Sequence, residues 1–289
     1  MNRLILGCGY LGRRVAASYL KSGVEVTGTV RSRLSAAKLE ELGVVPVIVD
    51  LDRRPLQDIP LSGSSLFYFI PPPAMGNSDS RAANMVQAFR RQGSPRRVIY
   101  LSTTGVYGDC GGAWVDESRV PAPAVPRALR RWDAEQVLRA WSHENGCELV
   151  VLRVAGFYGP GKLPLERLRR QLPMVCEEEA PFSNRIHIDD LVTVCLAAME
   201  RGQSGEVYNV SDGHPTTMTD YFDRLADIAG LARPPRISLH EAGQKLSPGM
   251  LSYMQESRRL RNGKMLEGLG VHLQYPDLQS GLSACFPIA

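Results

Sequence analysis

The chain has 289 residues, enough for one large domain or a core with a lobe. Its 44% hydrophobic and 22% charged residues are ordinary for a globular protein in water, and no apolar run reaches the ~18 residues that a membrane span needs. A net charge of +4 is mild, and there is no repeat, low-complexity tract or aromatic–basic pattern. Nucleic acid and membrane are therefore not expected as partners.

The N-terminus, MNRLILGCGY, has one basic residue and a short apolar stretch. A glycine-rich turn interrupts it and no small-residue cleavage site follows, so it reads as a first strand rather than a signal peptide. That strand is Arg3 to Leu6, and a helix follows through Val15, Ala16 and Leu20. The second strand is Val24 to Val30, with a helix containing Ala37, Leu39 and Leu42; the third is Val44 to Val49, ending at Asp50. The fourth, SLFYFI, is stopped by Pro71 to Pro73, which cannot continue a central strand. A helix around Ala82 to Arg91 leads to RRVIYLS, a long helix from Pro126 to Glu144 follows, and ELVVLRV is the sixth strand. Alternation of this kind predicts parallel βαβ units, and the near-continuous apolar strands predict a sheet buried on both faces.

After Gly156 the pattern loosens. FYGPGKLPLERLRRQLP reads as a loop and short helix, IHIDDLVTVCLAAME as a helix with Asp189 or Asp190 at its start, and GEVYNVSD as a strand returning to the sheet. From Pro215 onward, helical segments and prolines predict a small lobe. The expected fold is α/β: a Rossmann-type, doubly wound parallel sheet over 1–156, with 185–211 returning to it. A discontinuous substrate lobe is expected over 157–184 and 212–289. A cleft between the two, at the carboxyl ends of the strands, is where a ligand would sit.

GCGYLG supplies Gly7, Gly9 and Gly12 as G-x-G-x-x-G, directly after a strand and opening a helix through Tyr10 and Leu11. The first glycine allows the tight turn, the second the approach of a pyrophosphate, and the third close helix packing. Strand two ends TGTVRS, with Val30 where an NAD site carries an acid, followed by Arg31 and Ser32. Arg31 can pair with a 2′-phosphate, which favours NADP over NAD; the alternative is a solvated surface arginine. The six cysteines form no Cys-x-x-Cys pair, so reduced thiols in a cytoplasmic protein are expected, without a disulfide framework or a metal site.

LSTTGVYGD (Leu101 to Asp109), LRVAGFYGPG, NRIHIDDL and YNVSDG follow one another in the order seen in extended short-chain dehydrogenases/reductases. The chain resembles that class, in particular its NAD-dependent epimerase/dehydratase-like members. The resemblance implies an active-site hydroxyl at Thr103 and an acid–apolar pair for adenine at Asp50 and Leu51. It also implies cofactor contacts at Ile70, Pro71 and Phe157. Asp50 has an alternative as a turn residue.

Members usually carry Tyr-x-x-x-Lys one helix after the Ser/Thr strand, with a Glu four residues beyond the Lys. Aligning that Glu on Glu135 puts Arg131 at the Lys position and Arg127 at the Tyr position. Arginine stays charged and cannot give and take a proton at working pH. Tyr158 and Lys162 match Tyr-x-x-x-Lys literally, but the Pro-Gly turn between them cannot put both side chains on one helical face. The arginine that binds a substrate diphosphate in sugar-nucleotide enzymes is replaced by Ser183, with Arg185 two residues on. His187 matches a histidine that is part of the fold. Tyr107, the phenol nearest Thr103 in sequence, is either a substitute acid or a packed tyrosine.

Two functional classes remain. One is an NADP(H)-binding oxidoreductase or epimerase-like enzyme acting on a small, anionic molecule, with Thr103, Tyr107, Arg127 and Arg131 in its active site. The other is a non-catalytic dinucleotide-binding sensor or scaffold. A third role for the arginines is an ion pair between Arg131 and Glu135 at i,i+4 spacing. By analogy with the class, the helices after strands four and five would pair in a homodimer.

Overall fold

The computed structural model describes residues 3–53 and 59–286. The outermost residues of the expected core and lobe segments, and 54–58, lie outside the described residues. The first half runs β1 (Arg3–Leu6), α1 (Tyr10–Lys21), β2 (Val26–Val30), α2 (Arg33–Glu40), β3 (Val45–Ile48), β4 (Ser65–Tyr68), α3 (Ser80–Gln92) and β5 (Arg97–Thr103). A short strand, β6 (Trp114–Val115), precedes the long helix α4 (Pro126–Asn145) and β7 (Glu148–Val154). Pro126 stands in the first turn of α4, where its missing N–H costs nothing, and Gly146 closes the helix in the left-handed region at φ 63°.

Seven strands form one parallel sheet in the order β12-β7-β5-β4-β1-β2-β3, with β12 (Val207–Val210) at one edge. The order reverses between β1 and β4, and the strand ends there open a crevice. Helices cover both faces. One core packs Leu11, Val15 and Tyr19 of α1 with Leu191 and Val194 of a later helix; the other packs Met85 and Phe89 of α3 with Leu138 and Trp141 of α4. β4 is buried throughout, as its apolar run predicts. β3 is not: Val45 and Ile48 are 57% and 40% exposed, because an edge strand lacks a neighbour on one side.

The remainder comprises β8 (Gly156–Tyr158), α5 (Leu165–Arg169), β9 (Met174–Val175), β10 (Phe182–Ser183), β11 (Arg185–His187) and α6 (Ile188–Arg201). After β12 come β13 (Thr216–Thr217), α7 (Met218–Ile228), β14 (Arg236–Ile237), α8 (Leu239–Lys245), α9 (Pro248–Met254), β15 (Arg259–Leu260), α10 (Gly263–Leu269) and α11 (Leu278–Ala284). Leu168 and Met174 share a small core with Phe222, Leu225, Leu278 and Leu282, which joins the two segments of the lobe. The boundary differs from the expected 212–289. Met265, Leu269 and Val271 pack into the sheet's own core, so α10 is a cover of the sheet rather than part of the lobe. Among the described residues no helix is long and apolar enough to cross a membrane, and the six cysteines are free.

Candidate cofactor groove and substrate cavity

Gly7 ends β1 with φ 85°, a conformation that favours glycine, and a Cβ there would lie 2.9 Å from the Ile70 side chain and 3.0 Å from its backbone nitrogen. The turn is pinned to β2: Gly7 N–H donates to Thr29 Oγ1 and Cys8 N–H to the Thr29 carbonyl. Gly9 caps α1, and no side chain satisfies the helix's first amides. Such an end offers hydrogen bonds and a positive dipole to an anion. Gly12 faces inward, where a Cβ would come within 3.0 Å of the Gly7 carbonyl and the Ile5 side chain. It serves helix packing, as the spacing predicts.

A groove of about 860 Å³ starts at this turn. Gly7, Gly9, Tyr10, Leu11, Arg31, Ser32, Asp50, Leu51, Ile70, Pro71, Arg131 and Phe157 all line it. Arg13 and Lys38 line the same groove as Arg31, as do Ser32 and Ser35. Arg13 and Lys38 were not singled out from sequence; the groove brings them from α1 and α2. Asp50 also makes the turn of its alternative reading: its Oδ1 accepts from Asp52 N–H at 3.1 Å, and Arg53 pairs with it at 3.4 Å.

An inner cavity of about 510 Å³ adjoins the groove, and Leu101, Arg131, Phe157 and Lys162 line both. Thr103 faces this cavity, its Oγ1 accepting from Gly105 N–H. Arg131 spans the junction. Its Nη1 donates to the carbonyls of Leu101 and Ile70 and to the Tyr100 hydroxyl, at 3.0, 3.4 and 3.4 Å. The surface pair with Glu135 does not form. Glu135 points into the core, where it accepts from the Ser102 hydroxyl and takes Arg153 as its partner at 2.8 Å.

Arg127 lies over the mouth of the cavity. It donates to Ser252 Oγ and O, pairs with Glu256 at 2.8 Å and stacks on Tyr253. A Cβ on residue 105 would sit 2.9 Å from Arg127 Nη1, so Gly105 is the seat of this guanidinium. Arg258 shares Glu256.

Tyr107 is a correction. It is fully buried, its hydroxyl donates to Asn209 Oδ1 at 2.7 Å, and Arg153 lies over its ring. Burial pushes its phenol further up. It does not line the cavity and packs as a core tyrosine, so the substitute-acid role lapses. His187 is buried between Tyr158 and Tyr275, with Nδ1 accepting from Asp189 N–H. The N-cap of α6 is thus this histidine, while Asp190 accepts from the amides of Gln274 and Tyr275.

Tyr158 and Lys162 diverge, as the Pro-Gly turn requires. The Tyr158 hydroxyl is buried toward Gly281 of α11 without a partner. Lys162 instead reaches the junction of groove and cavity, 4.2 Å from the Phe157 ring and 5.1 Å from the Tyr10 ring. Its loop is held to α1 by the Tyr10 hydroxyl donating to the Pro160 carbonyl. Burial lowers its ammonium pKa. Sequence reasoning passed over Lys162 because it weighed only the pair.

A parallel sheet with this strand order and a glycine turn at its crevice defines a dinucleotide-binding protein of the doubly wound class. Residues 80–211 match the model of the NAD dependent epimerase/dehydratase family. Protein YeeZ of Escherichia coli K12 is 26% identical over 94% of this chain and 96% of its own length. A 4-hydroxy-2-methyl-3-oxo-4-farnesyl-3,4-dihydroquinoline-1-oxide ketoreductase of Stigmatella aurantiaca is 27% identical over 78% of this chain and 72% of its own. Among solved structures, a functionally unknown conserved protein from Silicibacter pomeroyi superposes with a TM-score of 0.84 at 32% identity, covering 98% and 97% of the two chains. A UDP-glucose 4-epimerase of Thermotoga maritima superposes at 0.76 with 23% identity and 98% and 97% coverage, a likeness of fold. The chain belongs to the NAD-dependent epimerase/dehydratase family of extended short-chain dehydrogenases/reductases.

Proposed function

We propose that this protein is an NADP(H)-dependent oxidoreductase of small anionic molecules. Family membership supports an oxidoreductase- or epimerase-like function and a nicotinamide dinucleotide. The residues present suit that group: the glycine turn leaves a cradle that a Cβ would fill, and the first amides of α1 are open to a pyrophosphate. Bound there, the nicotinamide would supply hydride exchange with a substrate carbon. The single observation that carries the NADP preference is the basic lining of the groove. Arg13, Arg31 and Lys38 all line the groove, with Val30 at the end of β2 where a ribose-binding acid would repel a phosphate.

The chain's own groups divide the remaining work. Thr103 orients a substrate oxygen by hydrogen bonding. Arg127 and Arg131, read as standing at the positions of the family's tyrosine and lysine, stabilise negative charge without exchanging a proton. Lys162, with a burial-lowered pKa and a place at the junction, is the lining group suited to carry one. One observation favours a non-catalytic binding module instead: Arg127 is already engaged by Ser252 and Glu256.

Calorimetry with both cofactors tests the reading. NADPH should bind more tightly than NADH, and Arg31→Ala should narrow the gap by roughly 1–3 kcal/mol, the range for a charge-assisted hydrogen bond and its lost partner. Equal affinities in the unaltered protein would sink the claim. A substrate screen beside Arg127→Tyr/Arg131→Lys separates the enzyme from the module. Turnover in either form that Lys162→Met abolishes supports the enzyme, while none in either form favours the module.

A further inference from the structure

Buried or half-buried arginines paired with a carboxylate include Arg81 with Asp52, Arg97 with Glu148, Arg153 with Glu135, and Arg127 and Arg258, which share Glu256. Arg130 and Arg185, each only 9% exposed, have none within ion-pair reach among the described residues, and of the two it is Arg185 that lines the inner cavity. Its Nη1 donates to the neighbouring Asn184 carbonyl at 3.0 Å and its Nη2 lies 2.9 Å from the Met218 sulfur, a weak acceptor. Its guanidinium stacks 4.6 Å from the Tyr221 ring. Asp212 is near enough to feel this charge but takes no hydrogen bond from the guanidinium, and a buried charge without a hydrogen-bonded counter-ion is costly.

The surroundings are built for this side chain. β11 pairs with β8 in parallel, with Arg185 directly across from Gly156. A Cβ on residue 156 would lie 2.8 Å from Arg185 Nη1, so a methyl group there would push the end of the guanidinium from its present place. Beside it the Ser183 hydroxyl is buried with no partner, and both residues line the inner cavity. Five basic side chains line that cavity against one carboxylate, Glu256, which is already shared by two arginines.

We propose that Arg185, with Ser183 beside it, is the anchor for a carboxylate of the substrate, which makes the substrate class an oxo acid or hydroxy acid. This deepens the oxidoreductase reading above and rests on it. A planar guanidinium fork matches a planar carboxylate in two parallel hydrogen bonds. One guanidinium also neutralises one negative charge.

The experiment is calorimetry on the NADP⁺-loaded full-length protein with 4-oxopentanoate, 2-oxoglutarate and phenylpyruvate, the methyl ester of each, and inorganic phosphate. At least one acid should bind at least tenfold more tightly than its ester and than phosphate. Arg185→Gln should remove that advantage, and Gly156→Ala should reduce it at least threefold by shifting an arginine that is still present. NADP⁺ affinity should be unchanged in both. The pair guards against loss of folding in either one. Equal binding of acid and ester, tighter binding of phosphate, binding of no acid, or an advantage that survives in folded Arg185→Gln or falls less than threefold in folded Gly156→Ala each overturns the proposal. The NADPH–NADH comparison in the same samples separates this outcome from failure of the cofactor reading.

Discussion

Glu135 shows how much a single residue's setting can differ from its apparent pattern. Its spacing from Arg131 suggests a surface pair, yet Glu135 is 0% exposed and Arg153, its partner from β7, is 3% exposed. The contact joins α4 to the sheet, with Ser102 of β5 donating to the same carboxylate. Neutralising Glu135 would leave Arg153 charged and buried. Glu135→Gln should cost about 3–5 kcal/mol in a denaturant titration, the range for breaking a buried pair. A loss below about 1 kcal/mol, the scale of a surface pair, would mean that the triad contributes little. Sequence could not reveal this because the i,i+4 rule is local, whereas Arg153 lies on another element. The same limit hid Glu256 from Arg127, and it led Tyr107 to be weighed as an acid when Asn209, far along the chain, holds its hydroxyl.

At the scale of elements, the apolar runs and helical patterns made all seven main strands, α1 to α4 and α6 legible, because each is long enough to show its character. The two- and three-residue strands of the second half, β8 to β11 and β13 to β15, are too short to show one. Contacts also fix element ends: α2 stops at Glu40, short of the Leu42 expected in it, and Leu42 is 45% exposed. Gly28 illustrates a requirement that no pattern announces. It sits inside β2, and a Cβ there would meet Cys8 Cβ at 2.9 Å, Cys8 Sγ at 3.0 Å and Val44 at 3.0 Å. The glycine lets the cofactor-turn residue Cys8 sink onto the strand. Gly28→Ala should therefore cost about 1–3 kcal/mol of stability, the usual scale of overpacking, and weaken NADPH binding with it. Calorimetry and thermal melts on one sample check both; lost stability with unchanged affinity would show that the turn does not depend on this contact.

For the molecule as a whole, pH should act through Asp212, where β12 leads toward the lobe. Its Oδ1 accepts from His214 N–H at 2.9 Å, while Oδ2 is buried without a partner. Burial pushes this carboxyl up to about 7, against the milder pull of His214 and Arg185. Because the folded value lies above the unfolded one, the folded state holds the proton more tightly. Stability from this group is full below the unfolded value and falls as pH rises through about 4 to 7. Asp212→Asn should remove that decline and gain roughly 2–4 kcal/mol at pH 8, at ~1.4 kcal/mol per unit, with little gain at pH 4. Denaturant titrations at both values decide it; an equal gain at both would place the effect in packing rather than in titration.

The two glycine seats also set an order on how this cavity can be rebuilt. Gly105 must be bare before a guanidinium can lie where Arg127 lies, and Gly156 before one can lie where Arg185 lies. An arginine arriving opposite an alanine would have to place its guanidinium elsewhere, whereas a glycine arriving first loses only a methyl group. Any stepwise route into this arrangement therefore passes through the glycines. The route back is just as constrained: restoring the methyl groups while the arginines remain forces the charged ends out of their seats. An engineer grafting either arginine onto a relative should for this reason carry its glycine with it.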